Sequence, residues 1–258
     1  MTDNSASKYL QTYIEQTSPL VAQYIERKRQ EAASLGVLPE KLIERFFLML
    51  TRGKRIRGAL VTLGYRAARG KDIGRILDTS LFIELFQTAA LIHEDIMDED
   101  PMRRGLPSFH VHFATASLEK NKEKRNHYGE SLAICAGDVG YFLAMEHLAV
   151  SSFVPTVVQK AMAMFTNYII RVGYGQTLDV QSGLGGSMTE QEVLTIYMLK
   201  TAEYSGALPL LVGAALAGCI DTKKLDALKI YGMALGWAFQ IHDDILGLFG
   251  DEKTTENP

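Results

Sequence analysis

Two short acidic segments each follow a strongly apolar stretch of the sequence. The first is Ile92-His-Glu-Asp-Ile-Met-Asp98 and the second is Ile241-His-Asp-Asp-Ile-Leu246. The second segment has a residue pattern similar to that of the first, which is a weak internal repeat. In the first segment Glu94 and Asp98 are spaced i,i+4, so in a helix both carboxylates would lie on the same face. Carboxylates grouped in this way could bind a cation.

These carboxylates are unfavourably placed unless a positive charge compensates them. Like charges spaced i,i+4 destabilise a helix by roughly 0.2–0.5 kcal/mol, and the C-terminal end of a helix is the negative end of its dipole. A hard divalent cation would offset both effects, and magnesium typically binds one or two carboxylates together with substrate phosphates. The alternative interpretation is a solvated acidic helix end. The presence of two clusters, and of the basic residues described next, favours the magnesium site.

Basic residues occur where they could bind phosphate groups. Lys54 and Arg57 are spaced i,i+3 at the predicted start of a helix, and helix N-termini bind anions readily. Each basic residue alone could be an ordinary surface residue, but with the acidic segments they predict a pocket that binds a polyphosphate through metal ions. The basic residues concerned are Lys54, Arg57, Arg103, Arg104 and Lys200.

Helices must position these residues, because almost every segment has helical periodicity and none has a convincing strand pattern. Helices are predicted at residues 7–35, 42–50, 56–68, 73–97, 131–150 and 155–181, with further helices starting near Thr189 and Thr222. The charged residues 119–126 are predicted as a solvated loop, and residues 108–113 as irregular. No linker rich in Gly, Pro or Ser is present, so residues 1–258 are predicted to form a single all-α domain, a large helical bundle.

The composition excludes several classes of protein. The 258 residues are 47% hydrophobic and 22% charged, as in ordinary globular proteins, and the net charge of −3 disfavours a nucleic-acid partner. Two cysteines exclude a disulfide scaffold and fit a reducing compartment. There is no basic-then-apolar leader pattern, and the longest uncharged run, residues 204–220, contains Pro209 and is shorter than a typical span. We therefore expect a cytoplasmic protein without a membrane span.

In combination these motifs resemble the trans-type isoprenyl diphosphate synthases, or polyprenyl synthetases, which include farnesyl and geranylgeranyl diphosphate synthases. Gly53-Lys-Arg-Ile-Arg57 is similar to the isopentenyl-diphosphate motif of that family. Glu94-Asp-Ile-Met-Asp98 with Arg103-Arg-Gly105 resembles the first aspartate-rich motif. Gly175-Gln-Thr-Leu-Asp179, Lys200-Thr201 and Phe239-Gln-Ile-His-Asp-Asp244 follow in the family's order. The resemblance implies an isoprenoid synthase fold, with helices around a central apolar cavity, a homodimer, and a magnesium-dependent condensation of isopentenyl diphosphate with an allylic diphosphate.

The resemblance also implies roles for individual residues. The Mg²⁺ ions would be held by Glu94, Asp98 and Asp243, with Asp244 close by. Isopentenyl diphosphate would contact Lys54, Arg57, Gln87 and Arg104. The allylic diphosphate would contact Arg103, Lys200 and Gln240. The catalytic groups would be Lys200, Thr201 and Gln240, with Asp179 in support.

Helix geometry predicts the length of the product. The growing chain should extend from the first acidic segment along the helix that precedes it. Ala90 and Ala89, one turn before Glu94, are small where farnesyl-producing relatives commonly have aromatic residues. Phe86, a further turn back, is large enough to close the tunnel. One helical turn rises ~5.4 Å, comparable to one isoprene unit, so the product is predicted to be geranylgeranyl diphosphate.

The chain departs from the family's pattern at three places. Glu94 replaces the usual Asp, and Gly247, followed by Gly250-Asp251, stands where many relatives have a third Asp. After Asp251 the sequence lacks the Gly-Lys pair and the later lysines of relatives, which implies a missing C-terminal portion or a divergent member. The alternatives are a non-catalytic regulatory subunit of a heteromeric synthase and a class I terpene cyclase. The intact basic residues argue against the subunit, and the second acidic motif argues against the cyclase.

Overall fold

The computed structural model describes residues 5–185 and 188–249, and over this part of the chain the predicted all-α class is confirmed. The α-helices are α1 (Ser5–Ala33), α2 (Val37–Thr51), α3 (Ile56–Ala67), α4 (Ile73–Thr79), α5 (Leu81–Met97), α6 (Phe109–Ala116), α7 (Lys122–Ala149), α8 (Pro155–Ser182), α9 (Glu190–Tyr197), α10 (Leu208–Leu216) and α11 (Thr222–Phe249). A π-helix spans Met198–Ala207, and β1 (Met102–Arg103) pairs with β2 (Leu106–Pro107) in an antiparallel hairpin. The predicted Gly250-Asp251 pair and the residues after it lie outside the described residues.

Several predicted boundaries were wrong for identifiable local reasons. The predicted helix 73–97 is divided at Ser80 into α4 and α5. The charged segment 119–126 is not a loop throughout, because the side chain of Asn121 accepts a hydrogen bond from the backbone N–H of Lys124 and so caps the start of α7. In contrast, the predicted capping box is confirmed at the start of α9, where the side chain of Thr189 and that of Glu192 each bond to the other's backbone N–H.

The segment predicted as irregular, residues 108–113, lies almost entirely in α6. Phe109 and Phe113 are spaced i,i+4 on this helix, both are buried, and their ring centroids are 5.0 Å apart. The alternation of polar and apolar residues in the sequence concealed this pair. Burial of two aromatic rings on one side therefore decided the conformation of this short segment.

The described chain divides into two compact units. The first contains residues 5–55 and 81–147, and the second contains residues 56–80, 148–185 and 188–249. In the first unit α1 packs on α2, α2 on α5 and α5 on α6. Every residue from 81 to 89 of α5 is buried, as its apolar sequence predicted. The ring of Tyr24 packs edge-on against both Phe47 and His147, which joins α1 to α2 and α7.

In the second unit two helix pairs approach closely at small residues. A β-carbon on Gly213 of α10 would lie 2.0 Å from the backbone oxygen of Val61 in α3. Where α11 crosses the π-helix, a β-carbon on Gly206 would lie 1.9 Å from the oxygen of Gly232, and one on Gly236 would lie 2.5 Å from the α-carbon of Ala202. These crossings bring backbone against backbone, so they fix the relative position of the helices with little freedom.

Two helical stretches are long and apolar enough to cross a membrane by length and composition alone. They are Ile73–Met97, whose most apolar window is 72% buried, and Lys122–Ala149, whose window is 39% buried. Burial accounts for the first stretch, because core helices of globular proteins have the same composition. The second stretch leaves an apolar face exposed, and the absence of a membrane span stays a prediction.

The close approach of α3 and α10 predicts that Gly213→Ala lowers the free energy of unfolding by about 2 kcal/mol, because the added methyl group must displace the backbone of Val61. Gly173→Ala is the matched control. It lies inside α8 with no atom within 4 Å of the added methyl group, so it should raise stability by about 0.5–1 kcal/mol. Urea unfolding measures both, and similar values for the two variants would contradict the crossing.

Candidate functional site

In the first unit, the last turn of α5 carries the first acidic cluster. The backbone N–H of Asp98 donates to the oxygen of Glu94 over 2.9 Å, so the helical turn continues to Asp98 and places both residues on it. Glu94 is half-buried and Asp98 is exposed. The next residue, Glu99, has a φ of 54°, which ends the helix. Two carboxylates therefore lie one turn apart at the end of a buried helix, as the spacing predicted.

Asp95 lies between Glu94 and Asp98 in the sequence and was not assigned a role in the sequence analysis. It is fully buried, and its Oδ1 accepts a hydrogen bond from Nε of Arg103 over 2.6 Å. A second carboxylate, Asp100, accepts from Nη2 of the same arginine over 2.7 Å. Burial raises the pKa of Asp95 to about 7, and the positive charge of Arg103 opposes that rise. Arg103 is thus held in a fixed orientation between two acids.

The hairpin that follows orients the second arginine. Arg104 and Gly105 have φ values of 55° and 70° at the tip between β1 and β2, a combination typical of a type I′ turn. Nη1 of Arg104 donates to the backbone oxygen of Met49 over 2.6 Å. Its guanidinium also lies against Gly53, where a β-carbon would be only 2.8 Å from Nη1. The glycine of the Gly53-Lys54 motif therefore makes room for Arg104.

Helix α2 fixes this hairpin at further points. The guanidinium of Arg45, buried at 7% exposure, donates to the backbone oxygen of Pro107. The side chain of Arg52 reaches the backbone oxygen of Arg104 over 3.4 Å. These hydrogen bonds hold the hairpin against α2. Neither Arg45 nor Arg52 was assigned from the sequence.

The structure corrects the predicted geometry of Lys54 and Arg57. Helix α3 begins at Ile56, so Lys54 precedes the helix and does not share a helix face with Arg57. Lys54 is exposed in the first unit. Arg57 lies in the second unit, where its Nη2 donates to the hydroxyl of Ser205 over 2.6 Å and its guanidinium stacks over the ring of Tyr204 at 4.9 Å. Arg57 is therefore oriented by the π-helix.

The residues predicted to contact isopentenyl diphosphate or the product lie on different sides of α5. Gln87 is buried, and its Oε1 has no hydrogen-bond partner among the described residues. Phe86 is also buried, and its ring lies 4.8 Å from that of Tyr141 in α7. Ala89 is fully buried and faces Gly140 of α7, whereas Ala90 is half-buried. Of the two small residues one turn before Glu94, Ala90 is the more accessible.

In the second unit, the π-helix carries Lys200 and Thr201. Nζ of Lys200 forms an ion pair with Oδ2 of Asp179 on α8. A β-carbon on Gly175 would lie 2.9 Å from Cβ of Leu199, so this glycine allows α8 to approach the π-helix beside Lys200. Gly175 and Asp179, which belong to one sequence motif, therefore position Lys200 of the next motif.

A chain of hydrogen bonds joins the π-helix to the second acidic cluster. The hydroxyl of Thr201 donates to Oε1 of Gln240 over 2.5 Å, and Nε2 of Gln240 donates to Oδ1 of Asp244 over 2.8 Å. The hydroxyl of Tyr197 donates to Oδ2 of the same carboxylate. Asp243, the adjacent residue, is half-buried. Both oxygens of Asp244 thus have donors within the protein.

The second acidic cluster lies inside α11, five residues before its end at Phe249, and not at the end of a buried helix as predicted. Helix α11 also exposes an apolar side in the described chain, with Ile230 at 72% and Phe249 at 81% exposure. The interpretation that each cluster closes a buried apolar helix is therefore correct for α5 and wrong for α11.

The carboxylates suit a metal ion whose other ligands are phosphate and water. Among the described residues no three His, Cys, Asp or Glu side chains converge closely enough to hold a metal ion. This includes His110 and His112, which the sequence analysis did not assign to a metal site. Magnesium usually takes only one or two carboxylates and completes its shell with phosphate and water. Glu94 with Asp98 has the donor chemistry for such a metal–diphosphate complex, and Asp243 has the same chemistry within its own unit.

Besides Arg45 and Arg52, three residues of this site were missed because their signals are weak in the sequence. Asp95 is the middle member of an acidic motif, and only its burial distinguishes it from Glu94 and Asp98. Asp100 follows two exposed acids in the sequence and is half-buried. Tyr197 precedes Lys200 by one helical turn, which is a spacing that could have suggested a shared face. Its bond to Asp244 crosses 47 residues of sequence and leaves no local pattern.

Comparison with known proteins identifies the family. The polyprenyl synthetase family model matches residues 40–258. A short chain isoprenyl diphosphate synthase of Methanothermobacter thermautotrophicus is 33% identical over 238 residues, which cover 90% of this chain and 66% of that protein. A geranylgeranyl diphosphate synthase of Sulfolobus acidocaldarius is 34% identical over 225 residues, covering 86% and 63%. The chain thus spans slightly less than two thirds of the length of these relatives.

A solved structure has the same fold. The geranylgeranyl pyrophosphate synthase of Corynebacterium glutamicum, crystallised with isoprenyl diphosphate and magnesium, superposes with a TM-score of 0.87 at 28% identity. The match covers 97% of this chain and 71% of that one. The predicted isoprenoid synthase fold is therefore confirmed, and with the family model and the sequence relatives it shows that the chain belongs to the polyprenyl synthetase family.

Proposed function

We propose that this protein is a magnesium-dependent trans-prenyltransferase that condenses isopentenyl diphosphate with an allylic diphosphate. The observation that carries the proposal is the arrangement at the end of α5. There a carboxylate pair, Glu94 and Asp98, lies next in the chain to a hairpin whose two arginines are individually fixed. Sequence relatives named as isoprenyl and geranylgeranyl diphosphate synthases support it. A cytoplasmic location accords with this role.

The acidic residues would bind the allylic diphosphate through magnesium. Glu94, Asp98 and Asp243 would hold the metal. Asp95 accepts at Oδ1 from Arg103, and both oxygens of Asp244 accept from protein donors. When bound, Mg²⁺ supplies positive charge that stabilises the leaving diphosphate. Glu94, one methylene longer than the usual Asp, still offers a carboxylate.

The basic residues would bind the two diphosphates. Arg103 keeps a fixed orientation through Asp95 and Asp100, so it would contact the allylic diphosphate without losing side-chain freedom on binding. Arg104, which lies against Gly53, and the exposed Lys54, the next residue in the chain after Gly53, would contact isopentenyl diphosphate. The buried Gln87 would complete that contact through its NH₂ group, which is a hydrogen-bond donor.

Thr201 would stabilise the allylic cation. Its only hydroxyl proton is donated to Gln240, so the side of Oγ1 that faces away from Gln240 carries only lone pairs. An oxygen held in this way presents negative partial charge, which stabilises a positive charge as it develops. Lys200 would shift from Asp179 to the diphosphate when substrate binds.

Two helices carry exposed apolar faces that suit a homodimer. On α7, Ile134 is 49% and Phe142 is 74% exposed. On α8, Ile170, Tyr174 and Leu178 follow one another at helical spacing with 55%, 63% and 43% exposure. Contiguous exposed apolar faces of this kind mark interaction surfaces. We assign both faces to contact with a second copy of the chain.

The first prediction is that an allylic diphosphate binds only together with magnesium, because the carboxylates repel the diphosphate unless cations intervene. Calorimetric titration with a non-hydrolysable allylic thiolodiphosphate should give at least tenfold weaker binding in chelator. Asp98→Ala and Asp243→Ala should each abolish the magnesium-dependent part, whereas His110→Ala should retain it. Equal affinity with and without magnesium would contradict the proposal, and magnesium-dependent binding without turnover would favour the regulatory subunit.

The second prediction is that the main product has twenty carbons and that Phe86 limits its length. Phe86→Ala should lengthen the product by about one isoprene unit, and Ala90→Phe should shorten it, because one unit spans about one helical turn. Chromatography of the products from radiolabelled isopentenyl diphosphate measures this.

Leu85→Ala is the control for the product measurement. It removes a fully buried side chain from the side of α5 opposite Glu94, so it costs comparable packing without opening the predicted tunnel. If Leu85→Ala lengthens the product as much as Phe86→Ala, or if the wild-type protein stops at fifteen carbons, the role of Phe86 is wrong.

The third prediction is that Phe142→Glu converts the dimer to a monomer, because a carboxylate would replace a ring in the middle of the exposed α7 face. Light scattering at low micromolar concentration should then give the mass of one chain. Ile230→Glu, an equally exposed position on α11, should remain dimeric. A wild-type protein that is monomeric at this concentration would refute the assignment of the two faces.

A further inference from the structure

Tyr197 lies outside the motifs from which the site was predicted, yet it lies at the end of the hydrogen-bond chain that contains Thr201 and Gln240. The chain runs from the hydroxyl of Tyr197 to Asp244, from Asp244 to the amide of Gln240, and from that amide to Thr201. We propose that Tyr197 is a positioning residue that fixes the Asp244 carboxylate and, through it, the amide orientation of Gln240. This inference deepens the proposed prenyltransferase function and rests on it.

The direction of each hydrogen bond follows from the chemistry of Asp244. An ionised carboxylate only accepts hydrogen bonds, so Gln240 must turn its NH₂ group toward Asp244 and its carbonyl oxygen toward Thr201. Thr201 then donates its proton to that oxygen. The opposite amide orientation would direct the carbonyl of Gln240 at the carboxylate and its NH₂ group at Thr201, reversing the polarity that Thr201 presents to substrate.

The hydroxyl of Tyr197 determines how firmly this orientation is held. Oδ1 of Asp244 is bound by Gln240 and Oδ2 by Tyr197, so the carboxylate has a donor at each oxygen and cannot rotate without breaking a bond. Asp244 raises the pKa of Tyr197 to about 12, so the hydroxyl stays protonated and remains a donor at neutral pH. Without it, one oxygen of Asp244 loses its donor and the carboxylate can turn.

The surrounding helices keep the members of the chain in register. Tyr197 is the last residue of α9, Thr201 lies in the π-helix, and Gln240 and Asp244 lie one turn apart on α11. Gly236, one turn before Gln240, contacts Ala202 of the π-helix backbone to backbone. The ring of Tyr197 lies 6.3 Å from that of Trp237 on α11. The ring position is thus maintained by packing, and the hydroxyl supplies the orientation.

The test compares Tyr197→Phe, which keeps the ring and removes the hydroxyl, with Tyr231→Phe. Tyr231→Phe is the control because Tyr231 is an exposed tyrosine of α11 in the same unit, lies outside the exposed face of α8, and takes no part in the chain. The first readout needs no substrate. It is the side-chain amide signal of Gln240 in a ¹⁵N–¹H NMR spectrum, identified by its loss in Gln240→Glu. Tyr197→Phe should shift or broaden this signal, and Tyr231→Phe should leave it unchanged.

The second readout is turnover. Tyr197→Phe should lower kcat about tenfold while the KM for isopentenyl diphosphate and the melting temperature stay close to wild type, and Tyr231→Phe should match wild type. In an Asp244→Asn background Tyr197→Phe should cause no further loss, because its effect passes through that carboxylate. If Tyr197→Phe does not fold, Tyr197→Leu, which also lacks the hydroxyl, takes its place.

The two possible failures are distinguishable. An unchanged Gln240 signal in Tyr197→Phe overturns the inference, whatever the activity, as does an additive loss in the Asp244→Asn background. A wild-type protein that binds no diphosphate in the presence of magnesium and makes no product overturns the proposed function. In that case the NMR signal still decides whether Tyr197 positions Gln240.

Discussion

The contact between the π-helix and α11, backbone against backbone, is the constraint on which the second half of the site depends. Gly206, Gly232 and Gly236 leave no room for side chains between the two helices. At such a distance the short side chains of Thr201 and Gln240 can bond directly to each other. Small residues therefore allow the π-helix and α11 to approach closely, and the polar side chains beside this contact form the part of the site that lies on this unit. A wider crossing would admit water in place of the direct bonds.

The two acidic clusters are stabilised in different ways within their own units. In the first, the buried Asp95 is compensated by a full positive charge on Arg103, which also bonds to Asp100. In the second, Asp244 is compensated by two neutral donors, Tyr197 and Gln240. Asp95 and Asp244 therefore each have a structural role within their own unit. Glu94 and Asp98 in one cluster, and Asp243 in the other, have the carboxylate chemistry expected of metal ligands.

Local sequence patterns predicted the helices and the charged motifs well, because those features depend on residues close together in the chain. Periodicity located the buried helix that contains α5, although it missed the break at Ser80. The spacing of Thr189 and Glu192 was sufficient for the capping box that starts α9. The site contacts that were missed join residues far apart in sequence. Arg104 and Gly53, like Tyr197 and Asp244, are too far apart in sequence for a local pattern to indicate their contact.

Arg104 occupies an unfavourable backbone conformation at the tip of the hairpin between β1 and β2. Arg104 holds a φ of 55°, in a region that Gly and Asn occupy with little strain and that most other residues avoid. Asn at this place would relax the backbone but could not reach Met49 or carry a positive charge. Arg104 thus keeps a strained backbone, which costs about 1 kcal/mol or more, while its guanidinium bonds to Met49 in the last turn of α2. Relief of the strain and retention of this contact are opposed at this one position, and a substitution can favour only one of them.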